Sequence, residues 1–106
     1  MTTIKENTIT EKLVDIKNMD FGNAIRALKM GMAVSRKGWN SKGMFLYYVA
    51  PGNYKPCTDI AKTIVNEDGL VPYGAYIAMK TAQGNVVPWL ASQTDVLAED
   101  WEIVDL

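Results

Sequence analysis

Met44-Phe45-Leu46-Tyr47-Tyr48-Val49 is the segment that most restricts how this chain can fold. Its β-branched and aromatic content makes it a strand. Alternation then puts Met44, Leu46 and Tyr48 on one face and Phe45, Tyr47 and Val49 on the other. Both faces are apolar and both need cover. With 106 residues there is room for one domain and one substantial helix. A single short helix covers one face of a small sheet, so the other face is expected to meet a partner subunit or a ligand.

The helix that covers the first face is legible upstream. Asp20 is a good N-cap, Phe21, Ala24, Ile25 and Leu28 share one side, and Gly31 follows Met30 as a stop. Residues 1–18 are polar with a weak apolar pattern and read as an extension, leaving 19–106 as a single domain. A short strand is expected over Met32 to Arg36. The turn-rich loop Lys37-Gly38-Trp39-Asn40-Ser41-Lys42-Gly43 then leads into the apolar strand. From Ala50 to Tyr73 the chain carries Pro51, Gly52, Pro56, Gly69 and Pro72 and reads as a long connection, with one helical turn around Asp59 to Val65. A strand over Tyr76 to Thr81, a turn at Ala82-Gln83-Gly84-Asn85 and a strand over Val86 to Leu90 form a hairpin, and Pro88 places the second strand at an edge. Ser92 and Asp95 form a capping box for a short helix through Leu97, before a last strand from Trp101 to Val104. The expected class is α+β: a small antiparallel sheet of four to five strands, one main N-terminal helix and a short C-terminal helical turn.

Composition removes several function classes. The chain has no histidine, so His-based triads, His acid/base catalysis and the usual His-containing zinc sites are excluded. The lone Cys57 has no base partner visible in sequence and builds no intrachain disulfide. No apolar run reaches the about 20 residues of a membrane span, and the start of the chain does not look like a secretory signal, so the cytoplasm is the expectation. A net charge of −1 argues against an extended nucleic-acid surface. The charges are nevertheless segregated. Arg26, Lys29, Arg36, Lys37, Lys42 and Lys55 occupy a stretch from Phe21 to Thr58 without an acid. Asp95, Glu99, Asp100, Glu102 and Asp105 occupy the chain after Lys80 without a base. Either the two stretches pair with each other or the basic one holds phosphates.

Three constellations carry candidate chemistry. In the segment from Arg36 to Gly43, an indole suits stacking on a purine or ribose, glycine amides can approach phosphate oxygens, and Arg36 can pair with them. The competing account is that Trp39 plugs the sheet edge while the glycines make a turn. In Pro88-Trp89-Leu90-Ala91-Ser92-Gln93-Thr94-Asp95, a strand runs straight into a helix start with polar side chains for a base or sugar edge. Local capping by Ser92 and Asp95 explains the same residues. Glu99, Asp100 and Glu102 read as a solvated face and not as a catalytic or metal-binding group.

The segments Met19 to Lys29, Val34 to Leu46, Met79 to Ala82 and Val87 to Trp101, above all the block from Trp89 to Trp101, resemble the second type of Thoeris anti-defence protein, a phage family. The extension before Met19 and the stretch from Pro51 to Pro72 depart from that pattern. The resemblance implies a sponge that binds a cyclic ADP-ribose derivative made by a bacterial Thoeris sensor, in the cytoplasm of the infected host, without cleaving it and without a cofactor. It also implies a homotetramer with pockets at subunit interfaces. Cyclic dinucleotides are alternative ligands. Carried over by position, Trp39 and Phe45 are stacking surfaces, Arg36 and Asn40 meet phosphate or ribose, and Trp89, Ser92, Gln93, Thr94 and Asp95 complete the contacts. Trp39→Ala is then expected to weaken capture with the fold intact. A hydrolase of the same nucleotide and a protein-binding phage component with no nucleotide ligand are the rival functions.

Overall fold

A computed structural model describes residues 16–39 and 43–106. The expected main helix is α1, Phe21–Lys29. Asp20 caps it: Oδ1 accepts from the Asn23 amide at 2.8 Å, one of the free first-turn donors. Termination also follows the sequence. Gly31 adopts φ +88°, a conformation open to glycine, and its amide donates to the Leu28 carbonyl at 2.9 Å.

Five strands form one antiparallel sheet: β1, Ala33–Arg36; β2, Phe45–Val49; β5, Tyr76–Lys80; β6, Val86–Pro88; and β7, Trp101–Val104. Their spatial order is β6-β5-β2-β1-β7. Pro88 lies on the edge strand, where its missing donor costs no ladder bond. The stretch from Pro51 to Pro72 is more structured than a connection. β3, Gly52–Tyr54, pairs antiparallel with β4, Val71–Tyr73, as a separate two-stranded sheet, and a 3₁₀ turn, Ala61–Ile64, lies between them. The prolines concealed these strands, because an edge position in a two-stranded ribbon tolerates Pro72, which a central strand would not.

Register assigns the faces. Val34 lies opposite Leu46 and Ile103, and Leu46 lies opposite Met79. Val34, Leu46 and Trp101 pack with Met19, Ala24, Ala27 and Leu28 of the helical layer into one core. The short helix α2, Gln93–Leu97, sits beside α1. Phe45, Tyr47 and Val49, one residue out of phase, lie on the opposite face with Ala33, Ser35, Ala78 and Lys80. No helix among the described residues packs there. The Met19 amide donates to the Trp101 carbonyl at 2.8 Å, and the chain before it also touches the domain, where the Ile103 amide donates to the Ile16 carbonyl at 2.9 Å. The rest of the expected extension, residues 1–15, lies outside the described residues.

Leu46 is fully enclosed at the centre of this core. Leu46→Ala is expected to lower unfolding stability by about 2–5 kcal/mol, read from denaturant titration. A loss below about 1 kcal/mol would mean that the helix-covered face is not the core.

Candidate functional site

The start of the loop after β1 is a 3₁₀ turn, Lys37–Trp39, and it is fastened to the beginning of β7. Arg36 Nε donates to Asp100 Oδ1 at 2.8 Å and Nη1 to Asp95 Oδ1 at 3.0 Å. Asp100 Oδ2 also accepts the Gly38 amide at 3.0 Å, and the Asp100 carbonyl accepts the Lys37 amide at 3.0 Å. Gly38 lies close to this carboxylate: a Cβ there would stand 3.2 Å from Asp100 Oδ2, so the side chain would have to give by a few tenths of an ångström.

The four-ring cluster beneath this node is built on Trp101, which is buried. Trp39 and Trp89 meet it edge-on at centroid distances of 5.5 and 6.0 Å, and Phe21 lies at 5.6 Å. The indole Nε1 donates to the Asp95 carbonyl at 2.9 Å. Two constellations separate in sequence, one around Arg36 and one around Asp95, therefore meet in space. Their meeting changes what several candidates offer. Arg36 already spends its Nε and one Nη1 donor on two carboxylates, so a phosphate would meet a cation whose charge is largely matched. Trp39 and Trp89 are half-buried against the core and not free platforms, as the account of Trp39 as a plug had it. Trp39→Ala must accordingly cost stability as well as any binding it removes. The Ser92 hydroxyl accepts from the Asp95 amide, and Asp95 Oδ2 accepts from the Ser92 amide, both at 3.0 Å, so the expected capping box is formed. Gln93 and Thr94 are exposed at the start of α2. Asn40 lies outside the described residues.

Phe45 belongs to a different surface. It lines a cleft of about 420 Å³ on the sheet face away from α1, together with Ser35, Lys80, Glu102 and Val104. Lys80 Nζ sits 5.9 Å from the Phe45 ring centroid and donates to the Gly43 carbonyl at 3.0 Å. Lys80 and Asp100 make contacts in these two places that sequence reasoning missed. Lys80 is the one base on a strand otherwise made of Tyr76, Ile77, Ala78 and Met79. Pairing Phe45 with Lys80 needed the β2–β5 register, which a 26-residue intervening stretch (50–75) leaves undetermined in sequence. Asp100 looked like one of three solvated acids, and only the turn of the chain into β7 aims it at Arg36.

The small α+β fold, with one sheet face buried under helices and the other carrying an aromatic, lysine-bearing cleft, defines a compact domain with one unclosed surface. The model of the Thoeris anti-defense 2-like domain matches residues 19–104, and this chain belongs to that family. It is similar to Thoeris anti-defense 2 of Bacillus phage SP01, with 42% identity over 86 residues that cover 81% of this chain and 94% of that protein. Membership makes the chain a phage-type anti-defence protein directed at Thoeris.

The node sets an acid limit on stability. For Asp95, burial raises the carboxyl pKa, but the Ser92 amide and hydroxyl and the Arg36 guanidinium together lower it below the ordinary range. For Asp100, burial likewise opposes, and Arg36 and the Gly38 amide outweigh it. Arg36 is shifted up, chiefly by its hydrogen bond to Asp100, and stays charged throughout. Both aspartates have folded pKa values depressed relative to the unfolded chain. Their stabilisation is thus complete above the unfolded value of about 4 and is lost as pH falls through the folded values. Unfolding free energy is expected to fall more steeply below about pH 4 in the wild type than in Asp100→Asn. Equal acid slopes by chemical denaturation would rule out Asp100 as a contributor.

Proposed function

We propose that the protein is a sponge: it captures a cyclic ADP-ribose-type signal, glycocyclic ADP-ribose, and so withholds it from a Thoeris effector without breaking a bond. The observation that carries this is the Phe45–Lys80 pair in the cleft of the uncovered sheet face. A ring presented beside an ammonium suits a nucleobase stacked next to its phosphates. Family membership points to the same target system. The sequence has no histidine to serve as general base, which favours capture over hydrolysis.

A second copy of the chain completes the site in this reading, within a homotetramer. Glu102 and Asp105 also line the cleft, so among the described residues its lining is net negative, with Lys80 as the base. An anionic nucleotide needs further cations, and a neighbouring subunit is the source that also covers Phe45, Tyr47 and Val49. Enclosure between subunits gives slow release, which a stoichiometric sponge requires.

Calorimetric titration with glycocyclic ADP-ribose, alongside cyclic dinucleotides, tests the reading. Tight uptake of the first and a light-scattering mass of a tetramer are expected. Phe45→Ala, at a half-buried position outside the core, is expected to bind about tenfold or more weakly, since one stacked base contributes about 1–3 kcal/mol. Preference for a cyclic dinucleotide would reassign the ligand. Absence of any nucleotide affinity would leave the protein-binding role.

A further inference from the structure

We infer that Ser35 and Glu102 read the amine-bearing edge of the ligand's base, at the end of the cleft opposite Lys80. This deepens the sponge reading and rests on it.

Sheet register sets four side chains in one row. Lys80 lies opposite Phe45, the pairing of Val34 with Leu46 places Ser35 beside Phe45, and Ser35 lies opposite Glu102. All four line the cleft on the uncovered face. The row crosses four strands, so its ends stand about 14 Å apart at a strand spacing of about 4.8 Å. In order it presents a cation, a ring, a hydroxyl and a carboxylate. A nucleotide whose base lies on Phe45, with its phosphate toward Lys80, directs the edge of the base remote from the sugar toward Ser35 and Glu102. Lys80 gives one of its three donors to the Gly43 carbonyl, which leaves two for the phosphate.

Ser35 is the residue that points to a ligand. It is 8% exposed, yet no group among the described residues bonds its hydroxyl. A buried hydroxyl without a partner destabilises a folded chain, and native interiors leave few of them. An alanine would take the same place on β1 without that cost, so the serine serves a partner from outside. Glu102 poses the complementary question of why a cleft for an anion carries a carboxylate. A carboxylate accepts hydrogen bonds and donates none. It repels a phosphate but accepts from an exocyclic amine such as that of adenine, while the Ser35 hydroxyl donates to the adjoining ring nitrogen. The same pair disfavours hypoxanthine, which sets a carbonyl oxygen where the amine stood.

Calorimetry of the wild type, Ser35→Ala and Glu102→Gln with glycocyclic ADP-ribose and with its hypoxanthine analogue tests the assignment. The wild type is expected to favour the adenine form by about tenfold or more. Ser35→Ala is expected to bind that form about two- to tenfold more weakly, while unfolding at no lower urea concentration than the wild type. Glu102→Gln, whose amide both donates and accepts, is expected to bring the two ligands within about threefold of each other. Simple repulsion between Glu102 and a phosphate predicts the reverse, tighter capture of both ligands with the preference unchanged, and that result overturns the assignment. Wild-type affinity in Ser35→Ala overturns it too. A wild type that takes up both ligands equally overturns the reading of the base edge and leaves the sponge standing, whereas one that takes up neither overturns both.

Discussion

Trp101 is where the independent parts of this small domain are joined. Its side chain is enclosed by Phe21 of α1, Trp39 of the turn after β1 and Trp89 at the end of the hairpin, while its indole N–H satisfies the Asp95 carbonyl at 2.9 Å. Its backbone pairs with Met19 on one side and with Arg36 across β1 on the other. Burying an aromatic of this size contributes more than any other single side chain here. The polar node at Arg36, Asp95 and Asp100 lies directly above it, partly withdrawn from water by the rings. Charge pairs at fully exposed positions contribute little, so the shelter beneath the node is what gives these carboxylates and the guanidinium their influence on the turn.

The sheet divides the molecule into a face that makes the fold and a face that no helix among the described residues covers. On the first, Val34, Leu46 and Trp101 meet α1, and the aromatic cluster closes the layer. On the second, Phe45, Tyr47 and Val49 have no helix over them among the described residues, and the cleft with Lys80 opens there. Strand periodicity makes the division unavoidable. A strand that is apolar at every position offers half its side chains to the core and the other half to whatever arrives from outside.

That division was legible in the sequence, because it follows from six consecutive residues and one helix. The helix itself was equally plain, with Asp20 and Gly31 marking its ends by chemistry that local sequence carries. So was the capping box at Ser92 and Asp95. Long-range pairing was not legible. Arg36 was recognised as a phosphate candidate, and its two aspartate partners lie 59 and 64 residues away, where only the β1–β7 register brings them together. For Trp39 a stacking platform and a plug of the sheet edge both stood open, because its neighbours in sequence are polar, while its neighbours in space are rings. β3 and β4 were hidden by prolines that an edge ribbon accepts. In each case the missing information was the partner strand.

Capture without cleavage is the central claim, and recovery of the captured molecule tests it most directly. Purified protein would be mixed with glycocyclic ADP-ribose, freed of unbound nucleotide, heat-denatured, and the released material separated by chromatography. The account predicts release of the intact cyclic nucleotide in proportion to the protein present. Release of a linear or hydrolysed product, or of no nucleotide, would contradict it.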